Sequence, residues 1–406
     1  MIQNIQNEFQ KYPRQFWLLF FGMLLSMTGS SMVWPFLTLY LVEELGLTLT
    51  AAASMLSVAA VATLGASFVA GPAADRLGRK PAMYVGLLGT GLTYTGFLWA
   101  NTAAMFAVIM ALHGSFRPVF RVGAHAMVAD LVPSEQRADA YALLRMAGNA
   151  GVALGPMIGG FLAAVSFKIT FLGAALALAA YGVTVLFFVG ETLPGIQPGH
   201  ETANAASDGN GYAGVFKDKL FILMCTFLIL TTTGAVQMFV LLPVYGKENF
   251  GLLESQFGFI VATNAALVVF LQYLVTKKTK HLPALPLMAA GASLYVVGLG
   301  SVALGSDFWH FLASMVVMTT GELMLVPTAT TLAADLAPPD SRGKYMSILG
   351  LTWGVGSGVG PLIGGILNDT FAPVAIWYGA AALAAVGTMG FVLLAWRDAL
   401  RRKVER

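Results

Sequence analysis

Long apolar runs alternate along the chain with short polar breaks. A helix needs about 20 mostly apolar residues to cross a bilayer. Twelve runs meet that need, at roughly 16–42, 51–74, 82–100, 102–132, 138–164, 168–190, 217–245, 254–275, 284–304, 308–336, 341–368 and 372–396. Several exceed the bilayer thickness, so tilted helices or projecting ends are expected. The breaks carry turn chemistry: Leu-Gly-Arg-Lys-Pro at 77–81, Pro133-Ser134, His281-Leu282-Pro283 and Pro338-Pro339-Asp340. The first run is too long for a signal-peptide core and lacks a small-residue cleavage site, which predicts a retained helix. The pattern predicts an all-α membrane protein of twelve transmembrane helices.

The second half of the chain repeats the first at an offset of 205. ADLVPSEQR at 129–137 matches ADLAPPDSR at 334–342, and Gly-Pro-Met-Ile-Gly-Gly at 155–160 matches Gly-Pro-Leu-Ile-Gly-Gly at 360–365. Over 129–162 against 334–367 there are 13 identities in 34 gapless positions, and the offset also pairs Gly29 with Gly234, Tyr40 with Tyr245 and Gly46 with Gly251. Shared apolarity yields chance Leu or Ala matches, but not ordered Asp, Pro, Arg and Gly-Pro identities. The stretch 191–216 is Gly-, Asn- and Pro-rich, as a flexible linker is. Two homologous six-helix bundles, 1–190 and 217–406, are therefore expected, with a substrate cavity near the midplane between the halves.

Composition excludes the soluble alternatives. Only 11% of residues are charged and 57% are hydrophobic, with a mean hydropathy of +0.75, against about 25% charged in soluble domains. A single cysteine, Cys225, excludes a disulfide scaffold, and a net charge of +3 gives no bias towards nucleic acid. With both termini in the cytoplasm, 18 of the 23 Lys and Arg fall in cytoplasmic termini and loops. Lys168 and Lys247 fall outside, and Arg117, Arg121 and Arg145 lie within spans. The positive-inside rule selects that orientation, in a plasma (inner) membrane.

The break between the second and third runs reads GPAADRLGRK (71–80), and the fifth run contains GVALGPMIGG (151–160). With 6+6 helices, cytoplasmic termini and a central loop, the chain resembles the major facilitator superfamily. The first motif is similar to the family's G-x-x-x-D-R-x-G-R-K signature. The second resembles the G-x-x-x-G-P-x-x-G-G motif of its drug:proton antiporter branch. The resemblance implies a cytoplasmic latch of Gly71, Asp75, Arg76, Gly78, Arg79 and Lys80. In it, Asp75 faces the positive end of the eleventh helix near Ser341, and the charge contacts break in the alternate state. It also implies that Gly151, Gly155, Pro156, Gly159 and Gly160 shape a hinge interface for antiport. Small residues there let helices approach without lipid between them, as Gly356, Gly360, Gly364 and Gly365 do in the repeat.

The fourth run carries the least expected residues. His113, Arg117, Arg121 and His125 recur every four positions, each step advancing about 40° around a helix, so they form one slanting polar stripe. An arginine at the centre of a span costs about 2.5–3.5 kcal/mol on insertion scales, and ionisable groups at that depth face a cavity or a partner. The family's usual pattern here is Arg, two residues, often Gln, then Gly. This chain has Arg117-Pro118-Val119-Phe120-Arg121. Glu322, at the centre of the tenth run, is 205 residues after Arg117 and so occupies its equivalent place. A carboxyl group in low dielectric favours its neutral form, and a nearby arginine its charged form. A site that gains and loses such a partner takes up and releases a proton.

Asp130 and Asp335 close the fourth and tenth runs, followed seven residues later by Arg137 and Arg342. These read as helix-end contacts, with Arg145 a candidate partner for Asp130. Asn149, Gln237 and Asn264 are further in-span polar groups expected to reach the cavity. The aromatic and sulfur side chains, including Phe36, Tyr40, Met238 and Tyr245, read first as packing.

No enzyme signature is present. Gly343-Lys344 lacks the Gly-rich lead of a P-loop, and there is neither a metal-ligand cluster nor a nucleophile elbow, so no cofactor is expected. The leading reading is a proton-coupled antiporter that exports small amphipathic compounds by rocker-switch alternating access. Its partners are a small-molecule substrate, protons and the bilayer, with no nucleic acid, and it works as a monomer. The alternative is a proton-coupled symporter importing a polar nutrient such as a sugar or organic ion. A channel would want repeated pore-lining rings, whereas this chain offers one pseudo-twofold pair of bundles, and a non-transporting sensor or scaffold has no evident use for a mid-membrane Glu and Arg.

Overall fold

A computed structural model describes residues 11–133, 136–193, 213–338 and 341–404. Most of the linker 191–216, the first ten residues and the turn residues Ser134, Glu135, Pro339 and Asp340 lie outside them. The described residues contain helices and no strand: α1 (Arg14–Val33), α2 (Leu37–Glu43), α3 (Leu49–Leu77), α4 (Arg79–Phe97), α5 (Ala103–Leu131), α6 (Arg137–Val165), α7 (Phe167–Phe188), α8 (Ala213–Lys217), α9 (Lys219–Val240), α10 (Leu242–Phe250), α11 (Glu254–Thr279), α12 (Ala284–Val302), α13 (Phe308–Leu336), α14 (Arg342–Thr370) and α15 (Ala375–Val404).

Each of the twelve apolar runs is helical, and the structure refines two of them. The run 16–42 is interrupted by a 3-10 turn at Trp34–Phe36, and the run 217–245 breaks at Leu241. Pro35 and Pro243 sit at these breaks, where a missing N–H and a ring clash stop a regular helix. Among the described residues eleven helical spans are long and apolar enough to cross a membrane, α1 and α2 together counting as one. The exception is α4, whose sequence RKPAMYVGLLGTGLTYTGF is diluted by two cations, glycines and threonines.

The residues form two compact units. Unit 1 comprises 1–45, 58–197 and 253–265, and unit 2 comprises 46–57, 198–252 and 266–406. In unit 1 a core of Phe16, Leu19, Met83, Phe120, Met127 and Tyr181 joins α1, α4, α5 and α7. In unit 2 Tyr245 packs edge-on against Trp377 at 5.3 Å, and Phe250 lies tilted against Phe311 at 5.6 Å. Phe36, Tyr40, Met238 and Tyr245 are all buried, in keeping with packing.

The repeat is visible in the helix contacts. A side chain at Gly151 would meet the Leu24 carbonyl at 2.7 Å, and one at Gly155 the Thr28 carbonyl at 2.7 Å. One at Gly159 would strike the Met32 backbone, so one glycine ridge of α6 lies against α1. Gly356, Gly360 and Gly364 hold α14 against Thr232, Thr233 and Gln237 of α9 in the same way. Gly160 completes the first set by meeting the Glu254 carbonyl of α11, and Gly365 the second by meeting Leu49 and Thr50 of α3. Close backbone approach maximises packing where apolar burial cannot drive association. Gly46 and Gly251, equivalent by the same offset, both adopt left-handed φ, at 63° and 67°.

Candidate functional site

The stripe on α5 divides into two kinds of residue. The histidines are held by packing. His113 Nδ1 lies 2.9 Å from Thr93 Oγ1, and its ring meets Tyr94 edge-on at 5.0 Å. Thr93 already donates its hydroxyl to the Thr90 carbonyl at 2.6 Å, which assigns the donor role in the second bond to Nδ1–H. His125 stacks on Tyr141 at 5.5 Å, whose hydroxyl donates to the His125 carbonyl at 2.9 Å. The arginines differ. Arg117 and Arg121 are both exposed on the helix, and among the described residues neither makes an ion pair. A small cavity of about 30 Å³, room for about one water, lies beside Arg117 and is lined by α1, α4, α5 and α7.

In unit 2, Glu322 is half-buried at mid-helix on α13. Gly321 beside it lets α13 approach the Gly291 carbonyl and Leu294 of α12, which brings Glu322 into electrostatic contact with buried Tyr295. Gln237, expected to reach the cavity, is fully buried. It packs against Gly364 and donates its amide to the Thr233 carbonyl at 3.3 Å, because α9 is enclosed on every side along 231–240. Asn149 and Arg145 are exposed on α6.

The 77–81 turn nucleates a third cluster. Arg79 pairs with Asp75, and its Nε lies 3.4 Å from Asp130 Oδ2. Of the two readings of Asp130, a helix-end contact and a pair with Arg145, the structure shows the first: it pairs with Arg79 and accepts from Thr192 Oγ1 at 3.0 Å. Arg137, paired in sequence with Asp130, donates from Nε to the Val132 carbonyl at the end of α5, at 3.1 Å. Glu191, which sequence reading passed over as the start of a linker, completes the cluster. Its Oε1 accepts from the Arg79 amide at 3.0 Å and its Oε2 from the Lys80 amide at 3.1 Å. This carboxylate caps α4 from a distant segment, where a negative charge suits the exposed N–H groups. Gly78, at φ +110°, makes the turn, and a side chain there would run into Glu191. Arg76 is exposed, and Gly71 has no neighbour within 4 Å that a side chain would meet.

Partial burial pushes the Glu191 carboxyl up, but hydrogen bonds from the Leu193, Thr192, Arg79 and Lys80 amides outweigh it, holding the group below its ordinary value of 4.5. A depressed carboxyl stabilises the fold above its unfolded value, and that gain is lost as pH falls through the folded value. The melting temperature of Glu191→Gln in detergent is therefore expected to fall below that of the unmodified protein at neutral pH. The gap should close as pH drops below about 4.5, the range where an unperturbed carboxyl protonates; equal melting at pH 7 would contradict the capping role.

The family model of the Major Facilitator Superfamily matches residues 19–305 and 248–406. The chain belongs to this superfamily. It is thus a multi-pass membrane protein and a secondary transporter, in a family of transporters and not of enzymes. It is 26% identical over 406 residues to the uncharacterized MFS-type transporter YhjO of Bacillus subtilis, covering 100% of this chain and 99% of the relative. A Na(+), Li(+), K(+)/H(+) antiporter of Planococcus maritimus is 26% identical, with 87% of each chain covered. The multidrug resistance protein MdtH of Escherichia coli is 23% identical, with 94% of each covered. Among solved structures, a mutant of the nucleoside transporter NupG superposes with a TM-score of 0.78 at 12% identity, over 94% of this chain and 100% of that one. A POT family transporter in complex with a thioalcohol-conjugated peptide gives 0.74 at 18%, over 95% and 96%. These likenesses establish the fold.

Proposed function

We propose that the protein is a proton-coupled antiporter that exports small amphipathic compounds by rocker-switch alternating access, with both termini in the cytoplasm and the monomer as the working unit. The observation that carries this reading is the half-buried Glu322 at the middle of a membrane helix, where an ionisable group is expensive unless it is used. Glu322 carries the proton. The glycine ridge of α6 favours exchange over symport by its likeness to the antiporter motif, and two relatives bear names of an ion/H+ antiporter and a multidrug resistance protein. The Asp75–Arg79–Asp130–Glu191 cluster serves as the cytoplasmic latch, a conformational element away from the substrate.

The sign of the driving gradient tests the reading. Proteoliposomes are loaded at acid lumenal pH and offered two fluorophores, 6-(dansylamino)hexanoate and ethidium. Antiport predicts that an acid lumen drives accumulation of at least one of them. With the membrane potential clamped at zero by potassium and valinomycin, passive redistribution cannot imitate this, since a weak acid leaves an acid compartment and a fixed cation such as ethidium has no potential to follow. Accumulation of these compounds only when the exterior is acid would establish symport instead.

A further inference from the structure

A proline interrupts the helix that carries Glu322. Pro327 lies inside α13, and without an N–H it cannot bond to the carbonyl four residues back. That carbonyl belongs to Leu323, the neighbour of Glu322. A bare carbonyl at membrane depth is costly, and a proline is tolerated there where neighbouring helices satisfy the freed group. Gln272, half-buried on α11, does so. Its Nε2 donates to the Leu323 carbonyl at 3.1 Å and to Thr276 Oγ1 at 3.0 Å. A carbonyl only accepts, so the amide nitrogen must face it, and its two protons serve both acceptors. The first half holds the same arrangement. Pro118 lies inside α5 and frees the Gly114 carbonyl, and Thr63 Oγ1 of α3 lies 3.0 Å from that oxygen. Donor, carbonyl and proline are each related to their counterparts by 209 positions, one helical turn beyond the 205 of the sequence repeat. The Thr63 hydroxyl has one proton and also lies 2.8 Å from the Ala59 carbonyl, so it is shared where the Gln272 amide is not.

We infer that Gln272 is a positioning residue for Glu322: by holding the carbonyl that Pro327 frees, it fixes α13 at the proton site and keeps that carbonyl engaged beside the carboxyl group. This rests on the reading of Glu322 as the proton carrier and adds the residue that sets its surroundings. Left bare, the Leu323 carbonyl would place the negative end of a peptide dipole close to a carboxylate, which favours the protonated form. Tyr295 of α12 is in electrostatic contact with Glu322. Away from the helix ends, α11 carries Tyr273 and α9 carries Cys225 as titratable groups, and α14 carries none.

The test follows the carboxyl C=O stretch by difference infrared spectroscopy of the full-length protein in lipid, titrated with pH. The part of the band lost in Glu322→Gln belongs to Glu322. Gln272→Met keeps the length of the side chain without its donors, and is expected to raise the midpoint of that band by at least about half a pH unit. Pro327→Ala returns an N–H to the Leu323 carbonyl, so in that background Gln272→Met should move the midpoint by less than about 0.2 unit. Melting temperatures identify a variant that fails to fold. Gln272→Asn, which keeps the amide but withdraws it by one methylene, then takes the place of Gln272→Met. A lower melting temperature with an unmoved midpoint would reduce Gln272 to a packing contact and overturn the inference. A shift of the same size in the Pro327→Ala background would overturn it too, since the freed carbonyl would not be its cause. The two failures are separable. A titrating Glu322 that is indifferent to Gln272 removes this inference alone, whereas a band unchanged in Glu322→Gln removes the proton-carrier reading and the inference with it.

Discussion

In proteoliposomes with an acid lumen, Glu322→Gln is expected to lose at least tenfold in uphill transport while still binding substrate and keeping its melting temperature. Glutamine preserves the volume and hydrogen-bonding reach of the side chain next to Tyr295, and Gly321 still admits α12 at the Gly291 carbonyl. What it lacks is a proton that comes and goes. A static structural pair predicts the opposite pattern. Removing one partner of a buried charge pair destabilises by about 3–5 kcal/mol, so melting would collapse together with transport. Glu322→Asp adds the complementary measurement, because it keeps the titrating group on a shorter stem and should retain part of the coupled rate. Gradient-driven transport at the unmodified rate in Glu322→Gln would remove the residue from the coupling mechanism.

The second large effect is on stability, at the glycine ridge of α6. In Gly155→Val the new Cβ would sit 2.5 Å from Ser31 Cβ and 2.7 Å from the Thr28 carbonyl, atoms fixed by the α1 backbone that cannot swing aside. Overpacking of a tight contact costs about 1–3 kcal/mol and sometimes more, and here α6 must separate from α1 to admit the side chain. A loss of about 3 kcal/mol is a large share of a margin of about 5–15 kcal/mol, so a marked fall in melting temperature is expected. Gly360→Val should reproduce it in the second half, where the Thr233 backbone takes the place of Thr28. Gly71→Ala is the matched control. Gly71 lies inside α3 with open space around it, and replacing a helical glycine by alanine gains about 0.5–1 kcal/mol. If Gly155→Val and Gly71→Ala melted alike, the ridge would not be a packing device.

The helices and their repetition were legible in the sequence because membrane burial writes itself into every residue of a span, and because the Gly-Pro and Asp-Pro-Arg patterns recur at one offset. The polar residues were legible only where local spacing decides their place. The α5 stripe follows from a period of four, and the structure keeps it. Its histidines turn to Thr93, Tyr94 and Tyr141, contacts that depend on neighbouring helices. Asp130 finds Arg79, 51 positions away. That pairing depends on how closely α4 and α5 approach, since a side chain at Gly123 would meet the Arg79 carbonyl at 2.9 Å, and no periodicity within either helix reveals it. Glu191 was missed for the same reason. The available signal was an acid placed directly after the sixth span, at the start of a linker that carries no Lys or Arg. Gln237 shows the reverse error, since a polar side chain inside a span suggests a cavity until a glycine ridge is found packed over it.

The central claim is that substrate and protons move in opposite directions through one protein, with Glu322 as the carrier. The most direct measurement records lumenal pH with an entrapped pH dye in proteoliposomes that have equal pH on both sides and a membrane potential clamped by potassium and valinomycin. Addition of a transported compound to the exterior is predicted to alkalinise the lumen as protons leave, and Glu322→Gln is predicted to abolish that signal. Entry of the compound with no pH change, or with acidification that exceeds its passive permeation, would contradict the account.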